Sequence, residues 1–209
     1  MQNPSTIQVW DIFVRLFHWT LVLAFAVAYV SSEAENELHI YAGYTVLGLI
    51  VFRVFWGLIG SKYAKFKDFI YSPKTVYHYI KSSRAGTAQH YLGHNPLGGW
   101  MVLAMLIMLF VVTLSGLKVY AIEEGAGLLA ANHVNLAVIA NANAEEEDDD
   151  DDAASNGESA EKFWEEAHEI STNLLLVLIG LHIFGVVLHS RLHKENLVKA
   201  MLTGKKNIP

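Results

Sequence analysis

The stretch WEEAHEISTNLLLVLIGLHIFG, residues 164–185, decides how the rest of the chain is interpreted. It has an apolar helical pattern with two histidines, His168 and His182, fourteen residues apart. At 3.6 residues per turn both imidazoles project from nearly the same face, about 21 Å apart along the axis. That distance is most of a roughly 30 Å hydrocarbon core, so one histidine is expected near each membrane surface. Ionisable residues inside apolar segments usually have a function.

Four apolar segments of the chain are long enough to cross a bilayer, because each approaches the roughly 20 residues that a spanning helix needs. They are residues 12–31, 40–60, 97–117 and 170–189. A helix satisfies its own backbone hydrogen bonds in lipid, so we predict an all-α integral membrane four-helix bundle, a single domain over residues 1–209. A soluble bundle is disfavoured because residues 43–52 and 101–114 are apolar on all sides.

Basic residues are concentrated on one side of the predicted membrane. The N-terminal segment, the loop 61–95 and the C-terminal tail carry most of them, whereas the other side has only Lys118 and Lys162. By the positive-inside rule both termini are cytoplasmic, which predicts a multi-pass membrane protein with an even number of spans. A cleaved signal peptide is disfavoured, because the only basic residue before the first apolar run ends, Arg15, lies inside that run.

The outer side is acidic, and we predict an outer-loop insertion at about residues 123–163. It contains eight consecutive acidic residues, Glu145 to Asp152, followed by Ala-Ala-Ser-Asn-Gly. Like charges repel, so this run is expected to be disordered. Two interpretations remain open: a solvated loop, or a segment that attracts a basic partner protein.

The predicted topology pairs four histidines by depth. The first span runs outward, which puts His18 near the inner surface, and the second runs inward, which puts His39 near the outer surface. The fourth span also runs inward, so His168 lies outside and His182 inside. The expected pairs are therefore His18 with His182, and His39 with His168.

Two histidine pairs at two depths are the pattern that bis-histidine ligation of two b-type haems requires. The chain has no cysteine, which excludes iron–sulfur clusters, thiolate-bound zinc and covalently attached haem. A bis-histidine haem carries one electron and has no open position for a substrate at the iron, so the predicted role is electron transfer and no catalytic residue is expected. His189 competes with His182 for the inner site. We interpret the remaining histidines as surface residues: His78, His90, His94, His133 and His193.

Three further features carry expectations of their own. Asp11 is expected to pair with Arg15 one helical turn later. Gly43 lies on the face of His39, where it either leaves room for a flat macrocycle or allows close helix packing. Residues 74–84 are predicted to form an amphipathic helix on the inner membrane surface, in contact with lipid.

At these residues the chain resembles the family of bacterial cytochrome b561 and the b-type cytochromes of nickel–iron hydrogenases. The matching stretches, in chain order, are Val9-Trp-Asp-x-x-Val-Arg-x-x-His18-Trp, His39-x-x-x-Gly-Tyr44, Arg53-x-x-Trp-Gly-x-x-Gly60, Gly93-His-Asn-Pro-x-Gly98, His168-Glu169 and His182-x-x-Gly-Val186. They cover nearly the whole chain. The acidic run matches no motif of the family.

The resemblance implies a di-haem subunit that exchanges electrons between the quinone pool and a periplasmic partner, a c-type cytochrome or a hydrogenase-like enzyme. In similar formate dehydrogenase subunits the quinone head lies by the inner haem, which in this chain implies Asn95 and Gly98 as quinone-binding residues. Two other functions were weighed: a stand-alone superoxide:quinone oxidoreductase, and a histidine-based metal-ion transporter. The acidic outer face argues against the first, because it repels an anion. The absence of charged residues at mid-membrane in 43–52 and 101–112 argues against the second. No nucleic-acid partner is expected.

Overall fold

The computed structural model describes residues 6–32, 37–87, 89–130 and 150–207, with backbone only for 150–158 and 207. Six α-helices and two short strands form within these residues. They are β1 (Thr6–Gln8), α1 (Ile12–Val30), α2 (Glu37–Ile59), α3 (Pro73–Arg84), α4 (Pro96–Glu123), α5 (Asp150–Leu192), α6 (Leu197–Thr203) and β2 (Lys205–Asn207).

Four of these helices are long and apolar enough to cross a membrane: α1, α2, α4 and the Ser159–Leu192 part of α5. Their outward side chains are apolar, as a lipid environment requires. Leu23, Val51 and Phe184, for example, expose 66%, 63% and 64% of their surface. The predicted all-α membrane architecture with four spans is therefore confirmed.

The fourth spanning helix differs from the prediction at its start. The helix that carries His168 and His182 begins well before residue 170, because its backbone is already helical from Asp150. The acidic run 145–152 was expected to be disordered, and for residues 150–152 this expectation is wrong, because their backbone is helical. Residues 145–149, the rest of the acidic run, lie outside the described residues.

The helical chain divides into two compact units. Residues 1–107 and 176–209 form the first unit, in which α1 packs against α2. Residues 108–175 form the second, which contains the C-terminal part of α4 and the N-terminal part of α5. The prediction of a single domain over 1–209 stays a prediction.

The first and last described segments are joined at the basic end of the first unit. β1 and β2 pair in antiparallel register, with Thr6 opposite Asn207. The backbone amides of Val9 and Trp10 then donate to the carbonyl oxygen of Gly204, at 2.8 and 3.1 Å. We call this β1–β2 pair with its Gly204 contacts the terminal clasp. It holds both ends of the described chain on one side, as an even number of spans requires.

Asp11 connects the start of α1 to the end of α2 rather than to Arg15. Its Oδ1 accepts a hydrogen bond from the backbone amide of Val14 at 2.9 Å, the N-cap geometry, and its Oδ2 accepts from Trp56 Nε1 and Ser61 Oγ. Burial alone raises the pKa of Asp11, but the hydrogen bonds from Ser61, Val14 and Trp56 outweigh it and hold this pKa below its ordinary value. The predicted Asp11–Arg15 pair is wrong, because capping directs the carboxylate away from Arg15. Arg15 instead donates from Nη1 to the carbonyl oxygen of Leu202.

The predicted surface helix at residues 74–84 is present as α3, Pro73–Arg84. Ser72 caps it by accepting a hydrogen bond from the amide of Thr75, and proline occupies the first helical position, where no amide hydrogen is needed. Tyr77 is 65% exposed. Basic residues Lys81 and Arg84 lie in its last turn, where they complement the helix dipole.

Candidate functional site

His18 and His182, the predicted inner pair, belong to the same compact unit and lie close enough to interact electrostatically. The Nδ1 atom of His18 is buried and has no hydrogen-bond partner among the described residues. The ring of Trp19 meets the His18 ring edge-on, with 5.0 Å between centroids. A buried ring nitrogen without a partner is costly in a protein interior, which fits a nitrogen that binds something absent from the polypeptide.

His39 lies in the first unit, in the first turn of α2. Its Nδ1 is 2.8 Å from the carbonyl oxygen of Ala28 in α1. A carbonyl oxygen only accepts, so Nδ1 donates and the lone pair of the ring is on Nε2. Metal-binding histidines are typically oriented in this way, with the non-ligating nitrogen donating to a backbone carbonyl.

His168 is held in the same manner within the second unit. Its Nδ1 is 3.0 Å from the carbonyl oxygen of Val112 and 3.2 Å from Ser115 Oγ, both on α4. Gly116 lies against the ring, since a Cβ at this position would be 2.9 Å from His168 Cε1. The close approach of α4 to His168 therefore requires glycine at position 116, which the sequence analysis did not identify.

Open space lies on the histidine faces of two helices. A Cβ added at Gly43, four residues after His39, would have no heavy atom within 4 Å. The same is true at Gly185, three residues after His182. Close helix packing would have brought a neighbouring atom against Gly43. The described residues therefore show no close helix packing at Gly43, and room for a flat macrocycle there stays a prediction.

Asn95 and Gly98, the predicted quinone residues, lie at the start of α4. The side-chain oxygen of Asn95 accepts a hydrogen bond from the amide of Gly98 at 2.7 Å, so Asn95 caps the helix. Its Nδ2 is 3.5 Å from His189 Nδ1 on α5. The His189 ring in turn stacks on His193, with 4.1 Å between centroids.

A polar cluster surrounds this corner of the first unit. His90 Nε2 is 2.7 Å from Glu195 Oε1, and Lys206 Nζ is 3.2 Å from Glu195 Oε2. Burial alone raises the pKa of Glu195, but the hydrogen bond of His90 and the charge of Lys206 outweigh it and leave this pKa below its ordinary value. His90 and His193 therefore belong to an organised cluster next to Asn95 rather than to an unstructured surface.

The interpretation of His94 as a surface residue is wrong, and no role was assigned to Arg53 from the sequence. His94 packs between the rings of Trp10 and Phe69, at centroid distances of 4.7 and 4.8 Å. Burial, followed by the charges of Arg53 and Lys206, lowers the pKa of His94 far below its ordinary value, so the ring is neutral at physiological pH. Arg53 is itself only 3% exposed. The spacing of His94 and Arg53 in the sequence does not predict that they are buried, because their neighbours come from distant parts of the chain.

Comparison with protein families identifies the chain. The family model described as prokaryotic cytochrome b561 matches residues 9–204. The chain belongs to the prokaryotic cytochrome b561 family. It is therefore a multi-pass b-type cytochrome of the bacterial inner membrane that functions in electron transfer, which confirms the resemblance noted from the motifs. No curated protein and no solved structure matches the chain significantly.

The residues of this cytochrome b561 fit a haem. A buried unpartnered nitrogen at His18 and two histidines oriented through Nδ1 are features that histidine ligation of a haem needs. Imidazole nitrogen is an axial ligand that haem iron accepts.

Proposed function

We propose that this chain carries two b haems and transfers electrons between a membrane quinone at its basic end and a periplasmic redox protein at its acidic end. The observation that carries the proposal is that α5 contains two histidines fourteen residues apart, His168 and His182, which spaces them about 21 Å along the axis of one helix. Two redox groups at those depths together cross most of the hydrocarbon core.

In this proposal His18 and His182 hold the inner haem iron, and His39 and His168 hold the outer one. The haem supplies an iron that takes up and gives up one electron. The chain supplies the orientation of each ring: the carbonyl of Ala28 holds His39, and Val112 with Ser115 holds His168. Fixed rings keep the ligand geometry the same in both oxidation states, which lowers the reorganisation that each electron transfer requires.

The quinone is proposed to bind at the basic end, next to Asn95 and Gly98. Asn95 Oδ1 is used to cap α4, so the amide Nδ2 is the group left to donate to a quinone carbonyl oxygen. The neighbouring His90, His193 and Glu195 cluster provides titratable groups on the side from which the protons of quinone reduction are taken.

Substitutions at Asn95 test this site. Asn95→Leu removes both the cap and the amide donor, whereas Asn95→Asp retains an oxygen that caps α4 and lacks the donor. We expect both variants to slow quinol-driven haem reduction about tenfold, the cost of one hydrogen bond to the bound quinone. Stopped-flow absorption at the haem bands gives the rate.

The matched control is Asn196→Leu, which removes a side-chain cap from α6, also at the basic end, where Asn196 Oδ1 accepts from the Lys199 amide at 2.8 Å. It should leave the reduction rate unchanged. Parent-like rates in both Asn95 variants would place the quinone elsewhere.

The partner at the opposite end is proposed to be a basic periplasmic protein, a c-type cytochrome or a hydrogenase-like enzyme. Replacing Glu145–Asp152 by the corresponding amides keeps the loop length and removes eight negative charges. We expect electron exchange with a basic cytochrome to slow about tenfold at low salt, and the difference to fade near ~0.5 M salt, because rim charges mainly raise association rates. Haem content and quinol reduction are the internal controls. Equal rates at every salt concentration would leave the run as a solvated loop.

Neither alternative function is favoured by a specific observation. A superoxide oxidoreductase needs an attractive path for an anion, and the acidic run Glu145–Asp152 repels one. A metal-ion transporter is a different class from the cytochrome family to which the chain belongs.

A further inference from the structure

Arg53 is a buried cation near the basic end of α2 that has no anion partner among the described residues. Its side chain stacks on two aromatic rings, with the guanidinium carbon 5.0 Å from the Phe66 centroid and 5.6 Å from that of Phe69. Its Nη1 atom is buried without a hydrogen-bond partner, and within the described residues no carboxylate forms an ion pair with it.

Aromatic stacking alone does not offset the free-energy cost of burying a charged guanidinium. Guanidinium stays protonated at all physiological pH values, so it cannot reduce the cost of burial by losing its charge. Asp11 attracts Arg53 from a distance, but the oxygens of that carboxylate accept hydrogen bonds from Val14, Trp56 and Ser61. Buried charges in proteins are paired, which indicates that a further anion belongs beside Arg53.

The surroundings of Arg53 indicate where that anion comes from. His94 interacts electrostatically with both Arg53 and His182. The ring of Phe69, on which Arg53 stacks, lies 4.8 Å from the ring of His94, and His94 belongs to the same compact unit as His18 and His182. The anion should therefore be part of whatever those two histidines bind.

A b haem carries two propionate carboxylates, and the planar fork of arginine matches a carboxylate in two parallel hydrogen bonds. We propose that Arg53 is the counter-ion of a propionate of the inner haem. The inference rests on the proposed assignment of that haem to His18 and His182. It makes Arg53 a haem-binding residue, with Phe66 and Phe69 holding the guanidinium in position.

The test uses the full-length protein in lipid nanodiscs with haem labelled with ¹³C at the propionate carboxyls. A His168→Ala background removes the outer haem, so that the signals come from the inner one. Redox-induced infrared difference spectra report the propionates, and a redox titration gives the midpoint potential. The variants are Arg53→Gln, Arg53→Lys and the control Arg84→Gln, which removes an exposed arginine of α3.

Arg53→Gln should shift the labelled carboxylate bands and lower the midpoint potential, because the propionate charge loses its counter-ion next to the iron. Arg53→Lys should shift both by less, since it keeps the charge without the fork, and Arg84→Gln should match the parent. Unchanged bands and potential in a haem-containing Arg53→Gln variant would overturn the proposal.

Phe66→Leu covers the case in which Arg53→Gln fails to retain the inner haem. It removes a stacking partner and keeps the guanidinium, so it should retain the haem and the parent carboxylate bands. Equal loss of haem from Arg53→Gln, Arg53→Lys and Phe66→Leu would assign Arg53 to packing alone and refute the proposal. The haem count of a separate His182→Ala variant decides the ligand assignment independently.

Discussion

Replacing His182 by alanine is expected to lower the haem content of the purified protein from two haems to one. A b haem has no covalent bond to the polypeptide, so a bis-histidine site depends on both axial bonds. His18→Ala should remove the same haem. The pyridine haemochrome assay gives the number of haems per chain, and optical redox titration identifies the one that remains.

Double variants test the pairing itself. If two histidines bind the same haem, replacing the second removes no further haem after the first replacement. If they bind different haems, the losses of haem add. His18→Ala combined with His182→Ala should therefore retain one haem, and His18→Ala combined with His168→Ala should retain none. Loss of both haems from the first combination would contradict the pairing by depth.

His189→Ala is the matched control, because His189 lies on the same helix seven residues after His182. Its ring is engaged with Asn95 and His193, so both haems should remain. A variant that lost one haem, with His182→Ala retaining two, would make His189 the inner ligand.

Gly116→Leu is expected to remove the outer haem although position 116 binds nothing itself. A Cβ there already meets the His168 ring at 2.9 Å, and a leucine side chain occupies the volume of the ring. The imidazole must then leave its hydrogen bonds to Val112 and Ser115, which orient it. Gly116→Ala requires only a shift of tenths of an ångström, so it should retain two haems with an altered outer-haem spectrum.

Gly48→Leu controls for the substitution of glycine by leucine in a spanning helix. Gly48 is exposed on α2, and a Cβ there meets no atom within 4 Å. This variant should keep two haems and a parent spectrum. If Gly116→Leu also kept a parent spectrum, His168 would not be positioned by α4 as described.

The spans were predictable because a segment that crosses lipid must be apolar along nearly its whole length. The apolar run of residues 12–31 ends within one residue of α1, Ile12–Val30, and the histidine spacing on α5 follows from helical geometry alone. These features are local, and a pattern of one segment is sufficient to find them. The histidine pattern and the family motifs both indicated haem b as the cofactor, which the family comparison confirmed.

The contacts between segments were not predictable from such patterns. Arg15 was expected to pair with its neighbour Asp11, yet its partner is the carbonyl of Leu202, which lies 187 residues away. Gly116 carries no local sign that His168 packs against it, and Arg53 resembles any basic residue near a membrane surface. The contacts of these three residues depend on which side chains, distant in sequence, pack beside them. The spacing of residues in a single sequence does not reveal such neighbours.

The terminal clasp sets an order on the making of this protein. Its strands are Thr6–Gln8 and Lys205–Asn207, so its hydrogen bonds cannot form until residues 205–207 have been synthesised and have left the ribosome. While the later helices are being inserted, the backbone amides of Val9 and Trp10 cannot yet donate to the carbonyl oxygen of Gly204. The start of α1 therefore remains in contact with the cytoplasm during this time. A chain truncated after α5 would retain every spanning helix and every proposed haem ligand, but it could not form the terminal clasp.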